Sequence, residues 1–212
     1  MLPDLDEWIR TVEGALPRAL TSHRVVVAIG GPPASGKSTL SAALADHWGD
    51  VCGILPLDGF HFDDAVLKAR GHLDRKGAPH TFDVTGFELL LSALRANPEL
   101  EIGVPRFDRS LELSRGSAAV IGPRQRIVLV EGNYLHATVE PWAGLGRLFD
   151  VTVAIEVPMD ELQRRILERW HDHGLADDEA RRRWERNDGP NAEWVVEHRA
   201  QVAVPLRTEA TR

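Results

Sequence analysis

Eight consecutive residues, Gly31-Pro32-Pro33-Ala34-Ser35-Gly36-Lys37-Ser38, carry the spacing Gly-x4-Gly-Lys-Ser of a phosphate-binding loop. Such a loop turns its backbone N–H groups inward around the phosphates of a nucleotide, and the helix that follows adds the positive end of its dipole. Lys37 then supplies a point charge for the β- and γ-phosphates. Ser38 offers a hydroxyl to Mg²⁺, Thr39 beside it is a further phosphate contact, and Gly36 lets the backbone come close to the anion. The same residues in a bare Gly-rich turn would have no strand before them and no helix after. Here the apolar run Val25–Ile29 precedes the loop and Leu40–Ala45 follows it.

Two acids end other apolar runs. Asp58 follows Gly53–Leu57, and Glu131 follows Ile127–Val130. In a parallel sheet the carboxyl ends of the strands carry the ligands, so both acids are expected beside the phosphates. Glu131 stands where a Mg²⁺-holding carboxylate is needed. Asp58 has three readings: the base that accepts the proton of an attacking alcohol, an outer-shell partner of Mg²⁺ through water, or an Asx turn before Gly59. The base is preferred. Around a concave acceptor pocket the polar candidates are His61, His80, Arg106, Asn133 and Tyr134, with Asp108 and Arg109 behind them.

These positions require strands that alternate with helices. Val151–Ile155 is another buried run, followed by Pro158 and an amphipathic helix from about Met159 to His171. Leu5, Trp8, Ile9, Val12 and Leu16 recur at helical spacing, with Pro3 near the start and Pro17 at the end. Residues 71–83 read as a surface loop, after which Asp83 caps a helix carrying Phe87, Leu90, Leu91 and Leu94. Glu101–Phe107 is a candidate extended segment and Ala118–Ile121 a short strand. The expected fold is α/β, a three-layer sandwich with a mostly parallel sheet and helices on both faces. It is expected as one domain over residues 1–212, with a leading helix at 1–20 and an Arg-rich helical lid at 160–190.

That lid rests on Arg164, Arg165 and Arg169, whose spacing puts guanidinium groups on adjoining faces of one helix, and on the Arg-rich stretch 176–188 with Arg181, Arg182, Arg183 and Arg186. Arg165 and Arg169 are the expected phosphate contacts; the plainer reading is a charged surface helix balanced by Glu161, Glu168, Asp177, Asp178 and Glu179. Residues 187–191, Asn-Asp-Gly-Pro-Asn, read as a hinge or adenine-side loop. His171 and His173 lie two apart, roughly 200° around a helix, and make a poor chelate. Asp63 and Asp64 read as a helix cap. Ser38 and Glu131 are therefore the expected metal residues.

Of the 212 residues 43% are hydrophobic and 27% charged, and the net charge is −7. This composition argues against nucleic acid or a membrane surface as partner, since either needs a basic face. A single cysteine, Cys52, leaves no internal disulfide and no thiolate metal cluster. No apolar run is long enough to span a membrane and the first residues are acidic, so the chain is expected in the cytoplasm. A homodimer is compatible with these features.

At Leu57-Asp58-Gly59-Phe60-His61 and Val130-Glu131-Gly132-Asn133-Tyr134, together with the phosphate loop, the chain resembles the P-loop kinases that include uridine kinase, phosphoribulokinase and bacterial pantothenate kinase. The resemblance spans roughly residues 22–200. Uridine kinases usually carry Asp-Ser-Phe-Tyr where this chain has Asp58-Gly59-Phe60-His61. That stretch, and Gly77-Ala78-Pro79-His80-Thr81-Phe82-Asp83, look more like the small kinases associated with fructose transport. The resemblance implies a P-loop NTPase fold, ATP and Mg²⁺ as cofactors, Asp58 as catalytic base, and a small-molecule hydroxyl as phosphate acceptor. A fructose-like sugar is first, with uridine or cytidine and pantothenate behind it. A base-reading Asn/Thr-Lys-x-Asp motif of GTPases and the Ser-Gly-Gly-Gln signature of transporter ATPases are missing. A nucleotide-binding regulator without phosphotransfer is the alternative of another class, and it would need neither Asp58 nor Glu131.

Overall fold

A computed structural model describes residues 5–18 and 22–208; Pro3, the expected start of the first helix, lies outside the described residues. Helix α1 spans Leu5–Gly14, β1 Val25–Gly30, α2 Lys37–Trp48, β2 Cys52–Pro56, α3 Asp64–Arg70 and α4 Val84–Ala96. A hairpin of β3 (Ile102–Asp108) and β4 (Leu113–Ile121) follows, then β5 (Ile127–Gly132), β6 (Val151–Glu156), α5 (Met159–Asp172), α6 (Asp177–Arg183), α7 (Gly189–Glu197) and β7 (Val204–Arg207). Five strands form one sheet in the order β2-β5-β1-β6-β7, with every neighbouring pair parallel. β3 and β4 pair antiparallel as a separate sheet.

The unbroken apolar runs are strands buried on both faces. Along β1, Val26 and Ala28 join a core that includes Phe87 and Leu91 of α4 and Val104 of β3. Val27 and Ile29 face the other way, toward Trp8 of α1, Leu40 and Leu44 of α2 and Leu162 of α5. This period-two division makes the sheet the middle of three layers. β1 is the centre. It pairs with β5 on one side and β6 on the other, so the chain changes direction of travel across the sheet there, which is where a crevice opens at the carboxyl ends.

Several sequence expectations are met locally. Asp63 caps α3 by accepting from the Ala65 amide at 2.8 Å, and Asp83 caps α4 by accepting from Gly86 at 2.9 Å. The 71–83 segment departs from the surface loop expected. Ala78, Thr81 and Phe82 are buried, because His61 and Phe82 form a β-bridge and Phe62 N–H donates to the Thr81 carbonyl at 3.0 Å. β4 is longer than expected, and β7 is an additional strand. None of the described helices is long and apolar enough to cross a membrane.

At the far end of the sheet from the crevice, Arg24 is fully buried and bound to carbonyl oxygens alone. Its guanidinium donates to the carbonyls of Leu94, Asn97, Pro98, Leu100, Gly122 and Gln125 at 2.8–3.1 Å. It thereby caps the carbonyl end of α4 and ties it to the start of β1 and the turn before β5.

Candidate active site

The loop after β1 is a concave run of backbone amides. Ala34 and Gly36 both adopt left-handed conformations, φ 61° and 102°, and α2 starts at Gly36 without a side-chain cap. Left-handed backbone is disfavoured for alanine and costs about 1 kcal/mol or more. The amides of the first turn of α2 therefore face the loop interior without an internal partner, which suits an anion with several oxygens. Gly31 is needed for close approach, since a Cβ there would lie 2.8 Å from Ser35 Oγ and 2.9 Å from the Ile155 carbonyl. Lys37 is buried, and its Nζ donates to the Pro32 carbonyl at 2.8 Å across the loop. Burial pulls its pKa down to about 8; Glu131 and Asp58 oppose that shift, while Arg169 and Arg109 reinforce it.

Glu131 reaches the same place from β5. Ser38 Oγ donates to its Oε2 at 3.3 Å, and burial raises the Glu131 carboxyl's pKa despite the counter-charge of Lys37. Two hard oxygens at the mouth of a phosphate loop fit Mg²⁺, which keeps water and phosphate oxygens as its other ligands. From β2, the short 3₁₀ turn Leu57–Phe60 presents Asp58, which accepts from Arg109 Nη2 at 2.9 Å. The turn sits hard against β3: a Cβ on Gly59 would lie 2.7 Å from the Pro105 carbonyl oxygen. His61 closes it, with Nδ1 2.8 Å from the Asp58 carbonyl and its ring between Phe82 and Phe107. Burial lowers its pKa, so the ring is neutral at physiological pH.

These groups open into one cleft of about 1040 Å³, lined by Ala34, Gly36, Lys37, Ser38, Thr39, Asp58, His61, Glu131 and Asn133 among the residues expected from sequence. Pro33 lines it as well, while Gly31, Pro32 and Ser35 form the back of the loop. Three acceptor candidates do not reach it. Arg106 is exposed, because the alternation that turns Phe107 toward the cleft turns its neighbour to solvent. His80 is exposed and packs on the ring of His72. Tyr134 is 1% exposed, ringed by Phe82, Trp142 and Trp194, and its hydroxyl donates to the Gly77 carbonyl at 2.6 Å, so it is a strut inside the core.

The helical segment divides the two arginines expected to meet phosphate. Arg169 lines the cleft beside Asp188, 3.9 Å away, and burial lowers its pKa. Arg165 does not line it. Its Nε donates to the buried Glu161 at 2.7 Å and its Nη1 to the Ala34 carbonyl at 3.4 Å, so it braces the phosphate loop from behind. Arg164 turns to Glu161 and Glu168. Sequence reasoning missed Phe107, Arg75, Lys76 and Trp170, which line the cleft together with three residues of the Arg-rich stretch read as part of the lid, Arg182, Arg183 and Arg186. The last three come from α6 and the π-helical turn Trp184–Asp188, an uncommon element that often marks functional sites. Their signal was the arginine cluster at 181–186. Asn187 and Asp188, read as a hinge, lie in that turn: Asn187 Nδ2 donates to the Lys76 carbonyl at 3.0 Å, and Asp188 accepts from Trp170 Nε1 at 2.9 Å.

No protein-family profile matches the chain. A solved structure titled as a putative fructose transport system kinase from Silicibacter sp. TM1040 superposes with a TM-score of 0.88 at 39% identity, covering 95% of this chain and 98% of that one. A Schizosaccharomyces pombe protein named as a putative uridine kinase is 31% identical over 97% of this chain and 92% of its own length. A Corynebacterium diphtheriae pantothenate kinase is 28% identical over 88% of this chain and 66% of its own.

Proposed function

Because the chain belongs to the P-loop kinases of the uridine kinase and pantothenate kinase type, we propose that it transfers the γ-phosphoryl group of ATP to a hydroxyl of a small metabolite, with a fructose-like sugar as first acceptor. The observation that carries this reading is the convergence of Asp58, Lys37 and Glu131 on one cleft that is large enough for two substrates. A protein that only senses nucleotide has no use for a carboxylate held ready at the acceptor end.

In this reading Asp58 accepts the proton of the acceptor hydroxyl as its oxygen bonds to the γ-phosphorus, and the bond to the bridging oxygen breaks to release ADP. Arg109, bonded to Asp58, keeps that carboxylate aimed. Lys37 and the loop amides hold the phosphates, and Arg169 adds charge from the lid side. Ser38 and Glu131 would hold Mg²⁺, which when bound draws electron density from the transferring group. Uridine or cytidine and pantothenate are the second choices for acceptor.

ADP formation with Mg·ATP over a panel of sugars, nucleosides and pantothenate tests the reaction. Asp58→Asn should then bind ATP normally and lose acceptor-dependent turnover by about 10²–10⁴-fold. No acceptor-dependent ADP with any compound would favour a regulator. Weakened ATP binding rescued by excess Mg²⁺ would move Asp58 into the metal shell.

A further inference from the structure

The two sides of the cleft are separate pieces of chain, and one residue ties them together. Lys76 follows the short 3₁₀ turn Leu73–Arg75 and lines the cleft, with its side chain only 16% exposed. Its Nζ donates to Asp64, the first residue of α3, at 2.5 Å, and to the Glu112 carbonyl at the tip of the β3–β4 hairpin at 2.6 Å. The same ammonium lies 5.1 Å from the centroid of the Phe107 ring, which packs on His61. Its main-chain carbonyl accepts from Asn187 Nδ2 of the π-helical turn at 3.0 Å. Among the described residues Lys76 alone is hydrogen-bonded to both the hairpin tip and that turn.

Each end of this tie leads to a working group. The tip, residues 109–112, carries Arg109, whose Nη2 donates to Asp58 at 2.9 Å. It is held as one piece, since the Asp108 carboxylate accepts from the amides of Ser110 and Leu111 at 3.1 and 3.3 Å. At the other end, the turn 184–188 brings Arg186 to the cleft and carries Asp188, which accepts from Trp170 and lies 3.9 Å from Arg169. A bonded path therefore runs from the lid cations through Asn187, Lys76 and Glu112 to Arg109 and Asp58. Coupling between distant groups is carried by such contiguous networks, and its charge-assisted bonds are the strong ones. A base brought into aim by lid closure acts only once water is shut out.

We infer that Lys76 is a positioning residue that passes the position of the lid turn to the hairpin tip, so that nucleotide bound under the lid sets the aim of Asp58. This rests on the kinase reading and deepens it. Lys76 acts through Arg109, and its part needs no contact with the acceptor.

Amide NMR spectra of the full chain, titrated with Mg²⁺ and the non-hydrolysable analogue AMP-PNP, test the relay without any acceptor. In the parent protein the amides of the phosphate loop (31–39), the lid turn (184–188) and the hairpin tip (109–112) should all shift. Asn187 makes no bond at the tip. Asn187→Ala should nevertheless reduce the tip shift to less than about a third while the loop shift is kept. Lys76→Met should do the same, Lys76→Arg should restore part of it, and the double variant should be no worse than either single one, as for two cuts in one path. A merely structural Lys76 would displace the tip equally with and without nucleotide, leaving the nucleotide-dependent difference intact. Tip shifts that persist in Asn187→Ala, losses that add across the two variants, or a parental tip that ignores nucleotide while the loop responds overturn the proposal. Should Lys76→Met fail to fold, Asn187→Ala decides alone. Loop amides that ignore AMP-PNP sink the kinase reading, and the relay with it.

Discussion

Lys37 shows how much stability a phosphate site gives up to be ready. Its ammonium is buried against a single carbonyl, and burial has already pulled its pKa to about 8. Replacing a buried charge by an apolar chain of similar length is often neutral or stabilising. Lys37→Met should therefore melt no lower than the parent protein in the absence of nucleotide, while turnover falls on the order of 10²–10³-fold or more. A melting scan beside a turnover assay checks both, and near-normal turnover in a folded variant would remove Lys37 from phosphate binding. His136 offers a second residue-level test. It is buried, with Nε2 2.9 Å from the Val153 carbonyl, and burial pushes its pKa down to about 4 from 6.5. Between those values the unfolded chain takes up a proton that the native ring refuses. Stability thus falls as pH drops through this window, by up to about 1.4 kcal/mol per pH unit. Urea titrations from pH 7 to pH 4 should show that slope in the parent and a flatter one in His136→Gln.

The element that sets the geometry of the proposed acceptor end is the Leu57–Phe60 turn wedged against β3. Gly59→Ala would force a methyl to within 2.7 Å of the Pro105 carbonyl oxygen, whereas Gly71→Ala, at φ 72°, meets nothing within 4 Å. Gly59→Ala should cost about 1–3 kcal/mol by overpacking and lower turnover through displacement of Asp58. Gly71→Ala should cost roughly 1 kcal/mol of backbone strain and leave turnover alone. Denaturation midpoints with paired kinetics separate the two, and equal turnover losses would contradict the wedge. The same turn marks what could be read locally. Asp58 and Glu131 were legible because buried parallel strands are short apolar runs with abrupt polar ends. β4 was only partly legible, since residues such as Ser114 and Ser117 break any alternation and most of the strand is exposed. Tyr134 misled because its partner, the Gly77 carbonyl, lies 57 residues away in sequence.

At the scale of the whole molecule, the segment from α5 to the π-helical turn is proposed to close over the sheet's carboxyl end as a lid. It touches the acceptor wall through Asn187 and the Lys76 carbonyl, and carries Arg169 over the phosphate side. Amide exchange across residues 164–190 should slow when a non-hydrolysable ATP analogue and an acceptor are added together, more than with either alone. Arg169→Ala should lower kcat by about tenfold or more with ATP affinity little changed, as expected of a contact strengthened in the transition state. Unchanged exchange together with parental kcat would leave this segment as a charged surface helix. The sequence suggested the lid through its arginine content alone, because the bonds that join this segment to the wall and the phosphate loop run over a hundred residues of sequence. Arg24 was equally hidden, since an arginine before a strand reads as a surface residue. Its setting has a consequence for how the family can diverge. A guanidinium that grips six main-chain carbonyls reads the path of the backbone and none of the side chains along it. The residues that supply those carbonyls are therefore free to change in identity so long as the chain keeps its course, while position 24 is not. Drift is permitted everywhere around this knot and forbidden at its centre.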